Sequence, residues 1–279
     1  MEIISTVTDA AATDVLTDLT TVKDELGITG STQDTRLTRY IEEVSAAVRR
    51  YCRRSVFAVE GITDTYYFLP GERGPLYLPL SRWPVAELVT LSTSSAVAAG
   101  ASILPFASVP FGSGSPIVVD PLPVSGLGID PNSEVSAVAG GDVTLSLPVE
   151  EAIPAATPIT FGISVHAVDA DDVTERLIYD DDYQLDPDTG LLTRLFDGTA
   201  MRWATNRRIV ARHRAGYATV PLDLEGAVLT LITARQNARA RDPMVRSEST
   251  EGIDSFTYQS AETAMVALDA RLAPFRIYP

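Results

Sequence analysis

One amphipathic segment constrains the fold of this chain more than any other part of its sequence. From about Thr32 to Arg54, apolar side chains recur at spacings of three and four residues, which is the period of an α-helix. The pattern predicts a long helix with a single apolar stripe. The stripe consists of Leu37, Tyr40, Ile41, Val44, Val48 and Tyr51.

Both ends of this helix carry residues that helix termini favour. Ser31 or Thr32 can cap the first turn, and Asp34 lies near the positive end of the helix dipole. The last turn is basic, and its arginines are expected to complement the negative end of the dipole and to stay solvated. They are Arg49, Arg50, Arg53 and Arg54.

Three further helices are predicted. A short helix from about Thr21 to Leu26, with Thr21 as its cap and Gly27 as its stop, forms a helical hairpin with the long one. A third helix runs from about Leu222 to Arg241, and its apolar stripe includes Leu224, Ala227, Val228 and Leu231. A fourth runs from about Ser260 to Leu272.

Short alternating and apolar runs between the second and third helices predict strands. Two of these runs flank Pro187–Gly190, which is typical of a hairpin turn. Helices followed by strands and then by further helices indicate an α+β fold. The predicted strands are Thr63–Leu69, Leu76–Leu80, Glu87–Ser92, Tyr183–Asp186, Leu191–Phe196 and Arg207–Arg214.

The middle of the chain has a different composition. No Lys or Arg occurs between Arg82 and Arg176, and the stretch from about Ser94 to Val168 is rich in Gly, Pro, Ser, Ala and Val. Short apolar runs separated by turn clusters suit a small β-sandwich or barrel. We therefore expect an inserted all-β domain at residues 94–168, between scaffold segments at 1–93 and 169–279. Its predicted strands are Pro116–Val119, Asp142–Leu147 and Ile159–Val165.

The charge and hydropathy of the chain limit its partners. The net charge of −15 argues against tight nucleic acid binding, which needs a surface rich in Lys and Arg. A duplex could still pass along such a surface without adhering to it. No apolar run approaches the ~20 residues of a transmembrane helix, and neither a membrane partner nor an export signal is expected.

Few residues are suited to catalysis or metal binding. Cys52 is the only cysteine, and the two histidines, His166 and His213, fall in different predicted domains. This pattern offers no zinc-ligand spacing and no shared acid–base site. The acidic clusters at 169–172 and 180–182 are expected to be solvated loops and not calcium sites. We expect no catalytic residue, no metal site and no cofactor, and a hydrolase using paired carboxylates is the enzymatic alternative.

Several segments, taken in their order along the chain, resemble the head-tail adaptor, or connector, family of long-tailed phages and gene transfer agents. They lie on both sides of residues 94–168, a stretch much longer than the strand connection that such adaptors usually have. The matching segments are Leu19–Ile28, Tyr40–Val48, Leu78–Val85, Asp182–Gly190, Ala215–Tyr217 and Leu272–Ile277.

The resemblance implies a four-helix adaptor scaffold without catalytic activity, and it is silent about the inserted all-β domain that interrupts this scaffold. It also implies a ring, commonly a dodecamer, beneath the portal in the neck of the virion, assembled in the host cytoplasm. The implied partners are other copies of the chain, the portal protein and a downstream tail or head-completion protein. Genomic DNA would pass through the channel without specific binding, along a lining that we expect to be neutral to acidic.

The inserted domain keeps a second class of function open. It could be a binding module that recognises a capsid, tail or host-surface ligand while the helices merely carry it. Exposed aromatic residues on its loops would favour this hypothesis, because they stack on sugars and anchor interfaces. The domain has only phenylalanines for such a role, namely Phe106, Phe111 and Phe161.

The C-terminal residues are the predicted portal-binding site. Pro274 ends the fourth helix, so the residues after it are expected to leave the helix as an extended strand. Large apolar side chains and an arginine favour interfaces over solvent. The alternative is that the tail folds back on its own domain. The site consists of Phe275, Arg276, Ile277 and Tyr278.

Overall fold

The computed structural model describes residues 1–69, 71–86, 88–110, 122–238, 247–250, 254–257 and 268–277. The chain divides into two units, each made of two separate segments. The β unit contains Met1–Ala11 and Val59–Gly216. The helical unit contains Ala12–Ala58 and Tyr217–Pro279.

The predicted long helix organises the helical unit. This helix, α2, spans Asp34–Cys52, and the shorter α1 precedes it at Leu19–Leu26. Helix α3 spans Leu222–Ala238, and α4 is one turn at Asp269–Leu272, followed by a 3-10 helix at Ala273–Phe275. Residues 260–267 of the predicted fourth helix and residues 239–241 of the predicted third lie outside the described residues.

The apolar stripe of α2 forms the core of the helical unit, as its spacing predicts. All of its members are buried except Tyr51, which is half-buried. Helix α3 packs against it through its own predicted stripe of Leu224, Ala227, Val228 and Leu231. Each large apolar side chain buried here contributes about 1.5–3 kcal/mol to the free energy of folding, so packing between the helices stabilises this unit.

The predicted N-terminal caps of both early helices are wrong. Asp18, and not Thr21, caps α1, because the Asp18 Oδ1 accepts a hydrogen bond from the Thr21 backbone N at 2.8 Å. Helix α2 has Gln33 at its N-cap, without a side-chain cap bond. The predicted stop is confirmed, since Gly27 ends α1 with the left-handed φ of 60°.

A five-stranded antiparallel sheet forms the centre of the β unit. Its order is β1-β2-β15-β10-β11. The central strand β15 begins and ends one residue later than the predicted strand Arg207–Arg214. Strand β1 was not predicted. The strands are β1 at Glu2–Asp9, β2 at Glu60–Tyr67, β10 at Ile163–Val168, β11 at Thr174–Leu177 and β15 at Arg208–Ala215.

A smaller antiparallel sheet packs on the central one. Strand β13, at Leu191–Phe196, pairs with β12, β14 and β3. Tyr66 and Trp203 lie in the buried core that the two sheets share. The turn between β12 and β13 is confirmed, because the Gly190 backbone N donates to the Asp186 carbonyl at 2.8 Å. The three partner strands are β3 at Tyr77–Pro79, β12 at Tyr183–Asp186 and β14 at Thr199–Met201.

The inserted segment forms a small six-stranded barrel with its own core. The strand order is β4-β9-β6-β7-β8-β5. A bridge between Thr93 and Phe106 joins the two end strands, which closes the sheet. The strands are β4 at Val89–Ser92, β5 at Ile103–Pro105, β6 at Leu122–Gly126, β7 at Glu134–Ala139, β8 at Asp142–Leu145 and β9 at Pro158–Phe161. The predicted strand at 116–119 lies outside the described residues.

Strand pairing gives this barrel different bounds from the predicted insert. The apolar run Ile159–Val165 is not one strand, because the chain turns at Gly162 with a φ of 95° and separates β9 from β10. Strand β10 pairs with β15 and β11 in the central sheet, and β4, which precedes residue 94, pairs with β9. The barrel strands therefore run from Val89 to Phe161, and the separability of an inserted domain stays a prediction.

Candidate interaction site at the C-terminal segment

The C-terminal segment, defined here as Phe275–Ile277, lies against the C-terminal end of α2. The Ile277 backbone N donates a hydrogen bond to the Cys52 carbonyl at 3.0 Å. The Arg54 Nε donates to the Phe275 carbonyl at 2.7 Å. Carbonyls in the last turn of a helix have no hydrogen-bond partner within the helix. The bond from Ile277 therefore supplies a donor to the terminal Cys52 carbonyl of α2.

An aromatic cluster fixes the side chain of Phe275. The rings of Phe57 and Phe275 are 6.5 Å apart and nearly perpendicular, and the rings of Tyr217 and Phe275 are 5.9 Å apart. Phe57 and Tyr217 are themselves separated by 6.4 Å. The two edge-to-face pairs that Phe275 forms each contribute about 0.5–1.5 kcal/mol beyond the burial of their surface. Two segments that are distant from Phe275 in sequence therefore hold it in place.

The neighbouring residues attach the segment to α2 and α4. The Arg276 guanidinium lies 5.3 Å from the centre of the Tyr51 ring. The Tyr51 hydroxyl forms a hydrogen bond with the Asp269 carboxylate, and this bond raises the pKa of Tyr51. Arg276 and Ile277 both remain half-buried, so part of each side chain is accessible.

Arg54 departs from its predicted role. It is only 5% exposed, and its guanidinium lies 5.6 Å from the centre of the Phe57 ring. The prediction that it stays solvated is therefore wrong, because its side chain holds the C-terminal segment. Arg49 forms an ion pair with Asp14 at 2.8 Å, and Arg53 ends the helix in the left-handed conformation with a φ of 57°.

The described part of the predicted portal-binding site packs on its own unit. Phe275 ends the 3-10 helix Ala273–Phe275, so the extended backbone begins at Arg276 and not directly after Pro274. This packing corresponds to the alternative in which the tail folds back. Tyr278 lies outside the described residues, and portal binding by this segment stays a prediction.

The thiol of Cys52 is fully buried, and its Sγ lies 4.0 Å from the Leu272 carbonyl oxygen. Burial raises its pKa to about 11, so the thiol is protonated at neutral pH. We expect a thiol reagent to modify the folded protein very slowly at pH 8 and to modify it at once in denaturant. Rapid labelling of the folded protein would show that the Cys52 thiol is accessible. Colorimetric thiol titration provides the measurement.

The two histidines occupy neighbouring strands, contrary to the prediction that they lie in different domains. His166 is on β10 and His213 is on β15, where it pairs with Ile163. Since positions 163 and 166 are an odd number of residues apart, the two imidazoles lie on opposite faces of the sheet. Burial lowers the pKa of His166 to about 4 and also lowers that of His213. Both rings are therefore neutral at pH 7.

The acidic loops have structural partners. The Asp169 carboxylate accepts hydrogen bonds from the backbone N of Asp171 and of Val173, each at 2.9 Å. Asp182 pairs with Arg194 at 3.1 Å. Across the ranges that the structure describes, no group of three or more His, Cys, Asp or Glu side chains is placed to hold a metal ion.

The aromatic residues of the barrel are mostly internal. Phe106 and Phe161 are buried and form an edge-to-face pair with ring centres 5.6 Å apart. Phe111 lies outside the described residues. Neither of the two described phenylalanines is exposed for ligand stacking.

Among the described helices, none has the length and apolar character needed to cross a membrane.

Comparison with known proteins gives one family match. Residues 16–78 match the family described as phage gp6-like head-tail connector protein, and this range includes α1, α2 and β2. No curated protein matches the sequence significantly. The family predicted from the sequence is therefore confirmed for this segment by an independent match.

Two solved structures have a low overall likeness to the chain. One is described as the virion of a native gene transfer agent particle, with 15% identity, a TM-score of 0.38 and coverage of 99% of this chain and 96% of that chain. The other is described as the neck of an empty gene transfer agent particle, with 14% identity, a TM-score of 0.37 and the same coverages. The family assignment depends on the sequence match, and the chain carries in residues 16–78 the domain of the phage gp6-like head-tail connector family.

Proposed function

We propose that this chain is a non-catalytic structural subunit of the virion neck. It forms a ring beneath the portal and continues the DNA channel towards the tail. The single observation that carries the proposal is the connector-family match at residues 16–78. That segment supplies α1 and α2, whose apolar residues form much of the core of the helical unit.

The charge of the chain supports a channel through which DNA moves freely. Its net charge is −15, so a ring of many copies is strongly acidic and does not retain a polyanion. The ring, which we propose to be a dodecamer, has the portal and a downstream tail or head-completion protein as its other partners. Assembly in the host cytoplasm precedes incorporation into the virion.

Oligomeric mass is the first test of this proposal. Native mass spectrometry of the purified chain, alone and with the portal, should show a closed ring with a single subunit number. A chain that stays monomeric under both conditions would contradict the proposed ring. Electron microscopy of the ring should further show a channel lining that is neutral to acidic.

The portal-binding role of the C-terminal residues requires a variant that separates docking from folding. Removing only Tyr278 and Pro279 keeps every described contact of Phe275–Ile277. We expect roughly tenfold or greater loss of portal capture, typical of an aromatic anchor at an interface, with an unchanged thermal midpoint. Capture is measured by pull-down on immobilised portal.

The matched control for this experiment is Phe275→Ala. It removes one ring of the aromatic cluster and should lower the thermal midpoint of the helical unit. Full portal capture by the truncated chain would show that the terminal residues do not dock on the portal.

A further inference from the structure

Strand β1 is a long edge strand that the chain leaves largely uncovered. It spans eight residues, Glu2–Asp9, and within the described ranges it pairs with β2 alone. Ile4 and Val7 are each 49% exposed, although they lie on opposite faces of the sheet. A strand with both faces partly exposed and one edge open presents unpaired backbone N–H and C=O groups to any second strand.

The sequence of β1 lacks most of the features by which natural proteins block such an edge, and its one irregularity is a bulge between Val7 and Asp9. Proline, lysine and inward charges are the usual means, together with short strands. Residues 3–8 are uncharged and contain no proline, and five of the eight residues in β1 are β-branched. They are Ile3, Ile4, Thr6, Val7 and Thr8.

Pairing of β1 with β1 of another copy is disfavoured by charge. In the antiparallel register that places Ile4 opposite Val7, Glu2 lies opposite Asp9 at both ends of the ladder. Like charges placed directly opposite each other destabilise a strand pair. Pairing of β1 with a different element of the chain avoids this repulsion.

Apart from the two-stranded sheet formed by β16, at Ser247–Thr250, and β17, at Asp254–Thr257, most of the other described edges are already occupied or blocked. The Leu177 carbonyl of β11 accepts a hydrogen bond from the Ser125 hydroxyl at 3.3 Å. Strand β3 ends at Pro79, which has no backbone N–H to donate. Strand β12 forms a bridge between Tyr183 and Tyr179, and the end strands of the barrel are joined to each other.

Strand β14 has the properties that complement β1. All three of its residues, Thr199–Met201, are exposed, and within the described residues it pairs only with β13. Met201 is 40% exposed, and nearby Phe196 is 72% exposed. Apolar side chains are therefore exposed to solvent beside the open edge of β14. Arg202 follows the strand directly and is exposed, whereas both ends of β1 are acidic.

We propose that the open edge of β1 pairs with β14 of a second copy of this chain. Because the two strands are different elements, the contact is head-to-tail, and each copy keeps one free β1 and one free β14 for its neighbours. Contacts of this kind generate a closed ring when the rotation between successive copies closes on itself. The inference rests on the proposed ring and names the strands that join its subunits.

Cysteine cross-linking tests this pairing directly. Thr6→Cys on β1 and Ala200→Cys on β14 both replace exposed residues, and the native Cys52 is fully buried. A short bis-maleimide added to the double variant should give a ladder of dimers, trimers and higher species on a denaturing gel. An equimolar mixture of the two single variants should stop at the dimer, because each copy then has only one reactive site.

Each other result overturns the inference. A dimer from Thr6→Cys alone would show pairing of β1 with itself, and a cross-linked monomer would show pairing within one chain. A ring seen by native mass spectrometry without any ladder would refute the β1–β14 contact but leave the proposed function intact. Monomers without cross-links would contradict both.

A charge substitution provides the second measurement. The double variant Ile4→Lys and Val7→Lys should lose the ring mass and sediment as a monomer, while its thermal midpoint stays close to that of the unmodified chain. The matched control is Ile103→Lys, at a residue of β5 that is 51% exposed and lies in the barrel. Retention of the ring by the β1 variant, or its loss in the control, would refute the assignment.

Discussion

Deleting residues 94–168 will abolish cooperative unfolding of the β unit, whereas deleting residues 89–161 will preserve it. The first deletion joins Thr93 to Asp169 and removes β10, which lies between β15 and β11 in the central sheet. The second removes only barrel strands and joins Leu88 to Gly162 through a short glycine linker. Such a linker can span the junction because Val89 and Phe161 are directly paired across two strands, so their Cα atoms are about 4.5–5.5 Å apart.

Tryptophan fluorescence measures the unfolding of the β unit separately from that of the helical unit. The chain has two tryptophans, Trp83 and Trp203, and both belong to the β unit. We expect a single urea transition of the fluorescence signal for the 89–161 deletion and none for the 94–168 deletion. The far-ultraviolet helical signal is the internal control, because α1, α2 and α3 lie outside both deleted segments and it should persist in both variants.

Two outcomes would contradict these bounds. A cooperative fluorescence transition in the 94–168 deletion would show that the central sheet does not need β10. Loss of the transition in the 89–161 deletion would show that the barrel and the central sheet fold as one unit, and not as separable parts.

The second large effect is expected for Phe57→Ala. The side chain of Phe57 is 1% exposed and contacts Tyr217, Phe275 and the Arg54 guanidinium. Its removal leaves a cavity and releases the C-terminal segment, and we expect a loss of about 3–5 kcal/mol in the free energy of unfolding. Urea denaturation followed by far-ultraviolet circular dichroism measures the helical unit.

Leu222→Ala is the matched control for this prediction. Truncation to alanine at a side chain that is 82% exposed should change the free energy of unfolding by less than about 0.5 kcal/mol. The tryptophan transition should move far less than the helical transition in Phe57→Ala. Equal losses in the two variants would show that the aromatic cluster does not hold the segment.

The sequence predicted those elements whose pattern is set by their own side chains. Helix α2 repeats its apolar period over several turns, and β12 and β13 flank a turn whose geometry Asp186 and Gly190 specify locally. Such signals do not depend on distant contacts. The bounds predicted for β12 and β13 are confirmed to the residue.

Elements that depend on their surroundings were missed. Strand β1 does not alternate clearly between apolar and polar residues, because neither of its faces is fully buried. Strand β6 contains Pro123 and Gly126 and is buried throughout, so it lacks the period of a half-exposed strand. Composition identified the inserted β region, but only strand pairing could assign β10 to the central sheet.

The arrangement of the C-terminal site could not be predicted from the sequence either. Its composition indicated an interface, which is equally consistent with a surface inside the same unit. Phe57, Tyr217 and Phe275 come from three distant segments, and no local pattern connects them. Arg54 lies in a basic cluster that is typical of a solvated helix end, so its burial had no sequence signal.

The division of the helical unit into two distant segments also determines when it can fold on the ribosome. Helix α2 ends at Cys52, and its packing partner α3 begins only at Leu222. At about 5–20 residues per second, synthesis of the intervening chain takes roughly ten to thirty seconds. During that interval the apolar stripe of α2 has no α3 to cover it, while the β unit can complete its sheets first. We therefore expect chaperones to bind nascent chains of this protein and to shield the apolar stripe of α2 until α3 emerges.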